Sequence, residues 1–131
     1  MSETRLAEYL SHLEQAARDA CTYTEGVSHE DFLADKRTQQ AVILNRLIIG
    51  EVATQLLKEY DAFLVQHPEV PWRSMKGRRN RMAHGYFAIN LEVVWDTVPI
   101  ALPALLERLP AIRHAVADED RPDPGSEPSD T

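Results

Sequence analysis

The chain has a single cysteine, Cys21, among its 131 residues. That excludes an internal disulfide and any metal cluster built from several thiolates. Cys21 follows Leu6, Leu10, Leu13 and Ala17 at helical spacing, so its expected role is that of a small buried apolar residue. No apolar run approaches the roughly 20 residues that a membrane-crossing helix needs. The opening "MSETRLAEYL" is charged from residue 3, unlike a secretory leader. The default location is the cytoplasm. The stretch "DEDRPDPGSEPSDT" (118–131) lacks any apolar side chain and contains three prolines. It cannot bury enough surface to offset the entropy of ordering and reads as a disordered acidic tail. Its six acids and one arginine sum to −5, which leaves only −2 of the formal −7 for residues 1–117. The acidity is largely a property of the tail and argues nothing about what the folded part binds.

What remains is one domain's worth of chain, 1–117, with an ordinary apolar content and helical periodicity. The first amphipathic helix stops at Gly26. Ser28, with Asp31 three residues on, offers a capping-box-like start for a short turn through Phe32 and Leu33. Asp35 is placed to cap a long helix over 36–66, along which Ile49, Val52, Ala53, Leu56, Tyr60, Phe63 and Leu64 form a continuous apolar seam. Its front, "AVILNRLII" (41–49), is apolar on more than one face, and a second buried face in so small a bundle predicts a homodimer contact. "HPEVPW" (67–72) is a loop fixed by two prolines, followed by a helix from 73 to about 84 that Gly85 ends. In "YFAINLEVVW", Phe87, Ile89, Leu91 and Val93 alternate as in a strand, yet the chain has no convincing partner strand. Asn90 as an N-cap, with Leu91, Val94, Trp95 and Val98 on one helical face, is the preferred reading. Pro99 and Pro103 must kink or restart a final helix that buries Leu102, Leu105, Leu106 and Leu109. The predicted fold is all-α, an up-down bundle of four to five helices, dimeric, with the acidic tail appended.

Acidic residues are absent between Glu69 and Glu92, and Arg73, Lys76, Arg78, Arg79 and Arg81 all lie in that interval. Such a stretch is a modest footprint for an anion, phosphate above all. It is equally a solvated face answered by acids on neighbouring helices, such as Glu51 or Glu59. His84 has two readings as well: a dipole-friendly helix end before Gly85, or a proton-transfer group. An arginine followed by a histidine at similar spacing recurs at Arg5/His12 and Arg108/His114, so spacing alone decides nothing. Asn80 and His84 share a helix face, whereas Arg79 sits about 140° from His84 on an ideal helix. Arg79 joins the same space only if the helix loosens near Gly85 or if a second copy supplies the missing group. Tyr86 emerges just past the helix end.

"RNRMAHGY" (78–86 less its first arginine) resembles the Arg-x4-His-x-Tyr signature of the HEPN superfamily, and specifically its HepT-type toxins. "NRLIIGEVATQL" (45–56) is similar to that family's Ile-Gly-Glu-Ala segment, with Val52 in place of alanine. The likeness continues through "PWRSMKGRRNRMAHGYFAINLEVVWDTV" and "ALPALLERL" and covers nearly everything but the tail.

The resemblance implies a metal-independent endoribonuclease built as a helical dimer, with no cofactor and no metal ligands. Arg79, Asn80 and His84 fall on the motif's catalytic positions, and Tyr86 on its tyrosine. RNA brings its own nucleophile, the 2′-hydroxyl, so cleavage needs proton transfer from a histidine and charge stabilisation by an arginine more than a metal. Arg73, Lys76, Arg78 and Arg81 would hold the RNA backbone. The resemblance further implies a type VII-like toxin–antitoxin pair, in which a cognate nucleotidyltransferase antitoxin transfers AMP to Tyr86. Glu51 is not carried over as catalytic. The competing reading within the superfamily is a non-catalytic binding subunit that acts through a complex with a nucleotidyltransferase. An unrelated dimeric bundle with a basic patch is the third.

Overall fold

The computed structural model of the chain describes residues 2–77 and 89–120, and within them every regular element is helical. Helices α1 (Ser2–Tyr23), α2 (His29–Ala34), α3 (Lys36–Glu59), α4 (Asp61–Val65), α5 (Leu91–Thr97) and α6 (Ala101–Asp120) follow in order. A further helical turn covers 72–77. The all-α class read from periodicity holds.

Local chemistry explains most of the boundaries. Gly26 takes a left-handed φ of 73° just after α1, a conformation that costs glycine no Cβ clash. The Thr24 hydroxyl donates to the Ala20 carbonyl at 2.9 Å and so satisfies one acceptor of the frayed last turn. Ser28 Oγ accepts from Asp31 N at 3.0 Å and starts α2 as predicted. Asp35 accepts from the amides of Arg37 and Thr38 and from the Thr38 hydroxyl, and these bonds hold its carboxyl below the usual range.

α1 is the central element, packed on one side by α3 and on the other by α6. Leu6, Leu10, Leu13 and Ala17 face inward as expected. Cys21 is only half-buried, because Ala16 and Ala20 take the tighter positions beside it. Even so, burial pushes its thiol pKa up. Arg5 and Tyr9 near the start of α1 both bind Glu59 at the end of α3, at 3.0 and 3.2 Å, so the two helices run antiparallel. Glu14 is buried between α1 and α6, where it accepts from Arg18 at 2.9 Å and from Arg113 of α6. A buried carboxylate needs such partners, since leaving it unpaired would be strongly destabilising.

Two expectations are corrected. The long helix expected over 36–66 breaks at Tyr60, whose φ of −135° and ψ of 35° separate α3 from α4. The seam is nevertheless kept: Phe63 and Leu64 are buried beyond the break, and the Tyr60 ring packs edge-on to Tyr9 at 6.4 Å. The break turns α4 over the core while both sides of it stay apolar. The final helix restarts after Pro99 and runs to Asp120, past the boundary expected at 117. It also passes through Pro110, an exposed residue flanked by Leu109 and Ile112, both at 0% exposure. Proline costs a helix one hydrogen bond, and here the core contacts on either side hold the helix together. Residues 121–131, the greater part of the expected tail, lie outside the described residues.

Candidate functional site

The basic stretch is anchored at both ends. On its entry side the chain leaves α4 through a series of short turns: His67 N donates to Leu64 O at 2.9 Å and Trp72 N to Val70 O at 2.9 Å. Val70 and Trp72 are buried, and the Trp72 indole N–H donates to the His67 carbonyl at 3.0 Å. Burying the ring while satisfying its one donor fixes the loop against the core. Pro71, with its φ preset for a first helical turn, then accepts from Met75 N at 3.1 Å and opens the turn 72–77. On the exit side the Asn90 side chain accepts from Glu92 N and Val93 N and starts α5, the preferred of the two readings of that segment. Val94 is buried, and Trp95 lies between a parallel His29 ring at 5.8 Å and Phe32 at 5.1 Å. His29 Nε2 meets Glu92 at 2.7 Å.

Of the sequence-predicted site residues, Arg73 and Lys76 fall within the described part, and both are exposed. Arg73 reaches Asp61 of α4 at 3.5 Å. Of the acids weighed as its counter-charges, Glu59 binds Arg5 and Tyr9, and Glu51 accepts from Gln55 at 3.0 Å. The Arg5 hydrogen bond holds the Glu59 carboxyl below the usual carboxylate range and raises Arg5 in turn. Partial burial, and then Glu59, raise the Tyr9 phenol. Among the described residues no acid pairs with Lys76. Arg78, Arg79, Asn80, Arg81, His84 and Tyr86 lie outside the described residues. Among the described residues, no three His, Cys, Asp or Glu side chains stand close enough to hold a metal ion together. No described helix is long and apolar enough to cross a membrane.

The apolar front of α3 divides as the sequence suggested. Val42 and Ile49 face the core, while Leu44 is 58% and Ile48 37% exposed, one turn apart on the outer side. One residue of this stretch escaped the sequence reading. Arg46 is 7% exposed, and its Nη1 points to the Val94 carbonyl of α5 at 3.5 Å. The neighbouring Asn45, also buried, folds back on the Ala41 carbonyl at 2.9 Å. The polar pair Asn45–Arg46 inside an otherwise greasy run was the available signal.

The comparisons with known proteins address the same residues. Residues 13–112 match the family model described as "HepT-like: Ribonuclease HepT-like". A probable ribonuclease HepT of Thermococcus cleftensis is 35% identical over 106 residues, 81% of this chain and 94% of that protein. A candidate RNase of Methanocaldococcus jannaschii is 31% identical over 120 residues, 92% and 97% of the two chains. A candidate RNase of Caldanaerobacter subterraneus is 33% identical over 104 residues, 79% and 90% of the two. No solved structure gives a significant match.

Proposed function

The chain belongs to the HepT-like ribonuclease family, and on that premise we propose that it is a metal-independent endoribonuclease, the toxin of a type VII-like toxin–antitoxin pair. The observation that carries this reading is the unbroken string from Arg79 and Asn80 to His84 and Tyr86. It stands in a stretch with no acid between Glu69 and Glu92 and with both ends pinned in the core.

His84 takes the proton from an RNA 2′-hydroxyl or returns one to the leaving 5′-oxygen. The 2′-oxygen forms a bond to phosphorus and the bond to the 5′-oxygen breaks, leaving a 2′,3′-cyclic phosphate and a 5′-hydroxyl. Arg79 binds the phosphate oxygens as charge builds on them, and Asn80 orients the phosphate or the imidazole. Arg73, Lys76, Arg78 and Arg81 hold the backbone, which makes binding salt-sensitive. A homodimer formed through the outer face of α3 would bring two motifs to one cleft, so that a second copy could supply the missing group. AMP placed on Tyr86 by a nucleotidyltransferase antitoxin would set a phosphodiester among these cations and oppose RNA binding.

The test is cleavage of RNA by the purified protein in excess EDTA. We expect 2′,3′-cyclic or 3′-phosphate ends, and complete loss of cutting in His84→Ala. Cleavage that survives that substitution would remove His84 from the mechanism. No cleavage by the wild-type chain would favour the non-catalytic binding subunit instead.

A further inference from the structure

The end of α4 and the turns that follow it leave a groove of about 310 Å³, open to solvent. Leu64, Val70 and Trp72 line its buried side, and Val65 stands at its outer edge. Val65 is 69% exposed, although its neighbours Phe63 and Leu64 in the same short helix are buried. One exposed valine signifies little by itself. The groove gains its character from the polar groups that line it with these walls: Asp61, Arg73 and the exposed Ser74. Arg73 and Asp61 meet at 3.5 Å with 81% and 54% of their side chains open to water. So exposed a pair is weak and yields its guanidinium to another anion. Apolar walls with a few polar groups, in a space of roughly 300 Å³ or more, are the ordinary make-up of a small-ligand site.

That combination says what the groove would hold. An apolar slot beside an exposed guanidinium suits a flat, weakly polar body that carries an anion a short linkage away, and an unpaired nucleotide has that form. A protein partner would need an interface of about 1,000 Å². Of the groove's large apolar side chains only Val65 is exposed, so the place suits one ring system and not a helix. The Ser74 hydroxyl both donates and accepts, so it can meet the edge of adenine or of guanine without separating them. Burial of apolar surface favours the larger, two-ring base over a pyrimidine. The base must come from a single strand, because one stacked and paired in a helix cannot enter.

We infer that this groove is a purine subsite for single-stranded RNA. The base lies against Leu64, Val65 and Trp72 with Ser74 at its edge, while its phosphate takes Arg73 from Asp61. The inference names the substrate class of the ribonuclease proposed above and rests on that reading. Two separable contributions follow: Arg73 acts on any RNA through the phosphate, whereas Val65 and Ser74 act only where a purine is present.

The experiment measures binding of the full chain to two labelled 2′-O-methyl oligonucleotides, which cannot be cut because the 2′-oxygen is blocked. One is all uracil, about six nucleotides long, and the other carries a single central adenine. Fluorescence anisotropy should give a Kd about five-fold lower for the adenine-bearing strand, from the extra apolar surface buried. Ser74→Phe puts a ring into the groove without changing the charge. It should reduce that ratio to near one and leave the all-uracil Kd within about two-fold. Arg73→Ala should weaken both strands by a similar factor and keep the ratio. Equal affinity of the two strands for the wild-type chain, or binding of neither, would overturn the inference, as would a five-fold ratio that survives in Ser74→Phe. If Ser74→Phe does not fold, Val65→Asn carries the same test, since it makes an exposed edge of the groove polar. The two readings fail separately. A chain that prefers adenine yet cuts no RNA loses only the ribonuclease mechanism, and one that cuts RNA without the preference loses only the purine subsite.

Discussion

Asp61 and Arg73 meet at 3.5 Å across the turns that carry the chain from α4 into the basic stretch. Both side chains are largely open to water, so the pair is weak and easily exchanged for another partner. On the proposed role of Arg73 in holding the RNA backbone, an incoming phosphate would compete directly with Asp61 for that guanidinium. Asp61→Asn should therefore tighten RNA binding about two- to five-fold at low salt. It should also steepen the fall of log K with log salt by up to ~1. Fluorescence anisotropy of a labelled RNA at several salt concentrations measures both. The gain should shrink when Arg73→Ala is already present; an equal gain in that background would mean that Asp61 acts on RNA by itself.

The outer face of α3 yields a second prediction. Leu44 and Ile48, exposed and one turn apart, form an apolar strip that a second copy would cover. Leu44→Asp with Ile48→Asp should weaken self-association about 100-fold or more, as loss of a central apolar contact does. Light scattering would then report a species near the 14.9 kDa of one chain. RNA cleavage should fall with it, because each motif would lose its partner. A wild-type mass from the double variant would place the dimer contact elsewhere.

The third concerns acid. Glu59 is held below the usual carboxylate range chiefly by the Arg5 hydrogen bond, and Asp35 by the bonds from Thr38. A depressed carboxyl contributes stability above its unfolded pKa and loses it as pH falls through the folded value. The α1–α3 contact at Arg5 and Tyr9 should thus weaken only below the normal carboxylate range. Glu59→Gln should melt below wild type at pH 7. The difference should vanish progressively as the pH is lowered past that range, read from melting curves between pH 7 and pH 3. A difference that stays constant with pH would mean that the Glu59 charge contributes nothing.

The elements that depend on a few neighbouring residues were legible in the sequence. Ser28, Asp35 and Asn90 cap as their spacing suggested, and Gly26 takes the left-handed turn, because each device closes within three residues. Tyr60 was not legible. The apolar seam from Ile49 to Leu64 runs through it unbroken, and periodicity cannot register a turn in the axis that keeps both sides buried. The same blindness explains α6, where a proline rule sees Pro110 but not the buried Ile112 and Val116 beyond it. In the candidate site, the family string was visible as letters, whereas the partner of Arg73 and the burial of Arg46 depend on which distant segments meet. Asp61 lies twelve residues from Arg73 and Val94 lies 48 from Arg46.

The positions of the two tryptophans have a practical consequence. Trp72 is buried just ahead of the basic stretch, and Trp95 is stacked on His29 just behind it, and the chain has no others. The protein thus carries its own fluorophores on both shoulders of the segment that bears Arg79 and His84. One is shielded from solvent, and the other is in contact with an imidazole that quenches emission when protonated. Events in that segment can be followed by intrinsic emission without a label. Replacing either indole with phenylalanine would tell which shoulder responds.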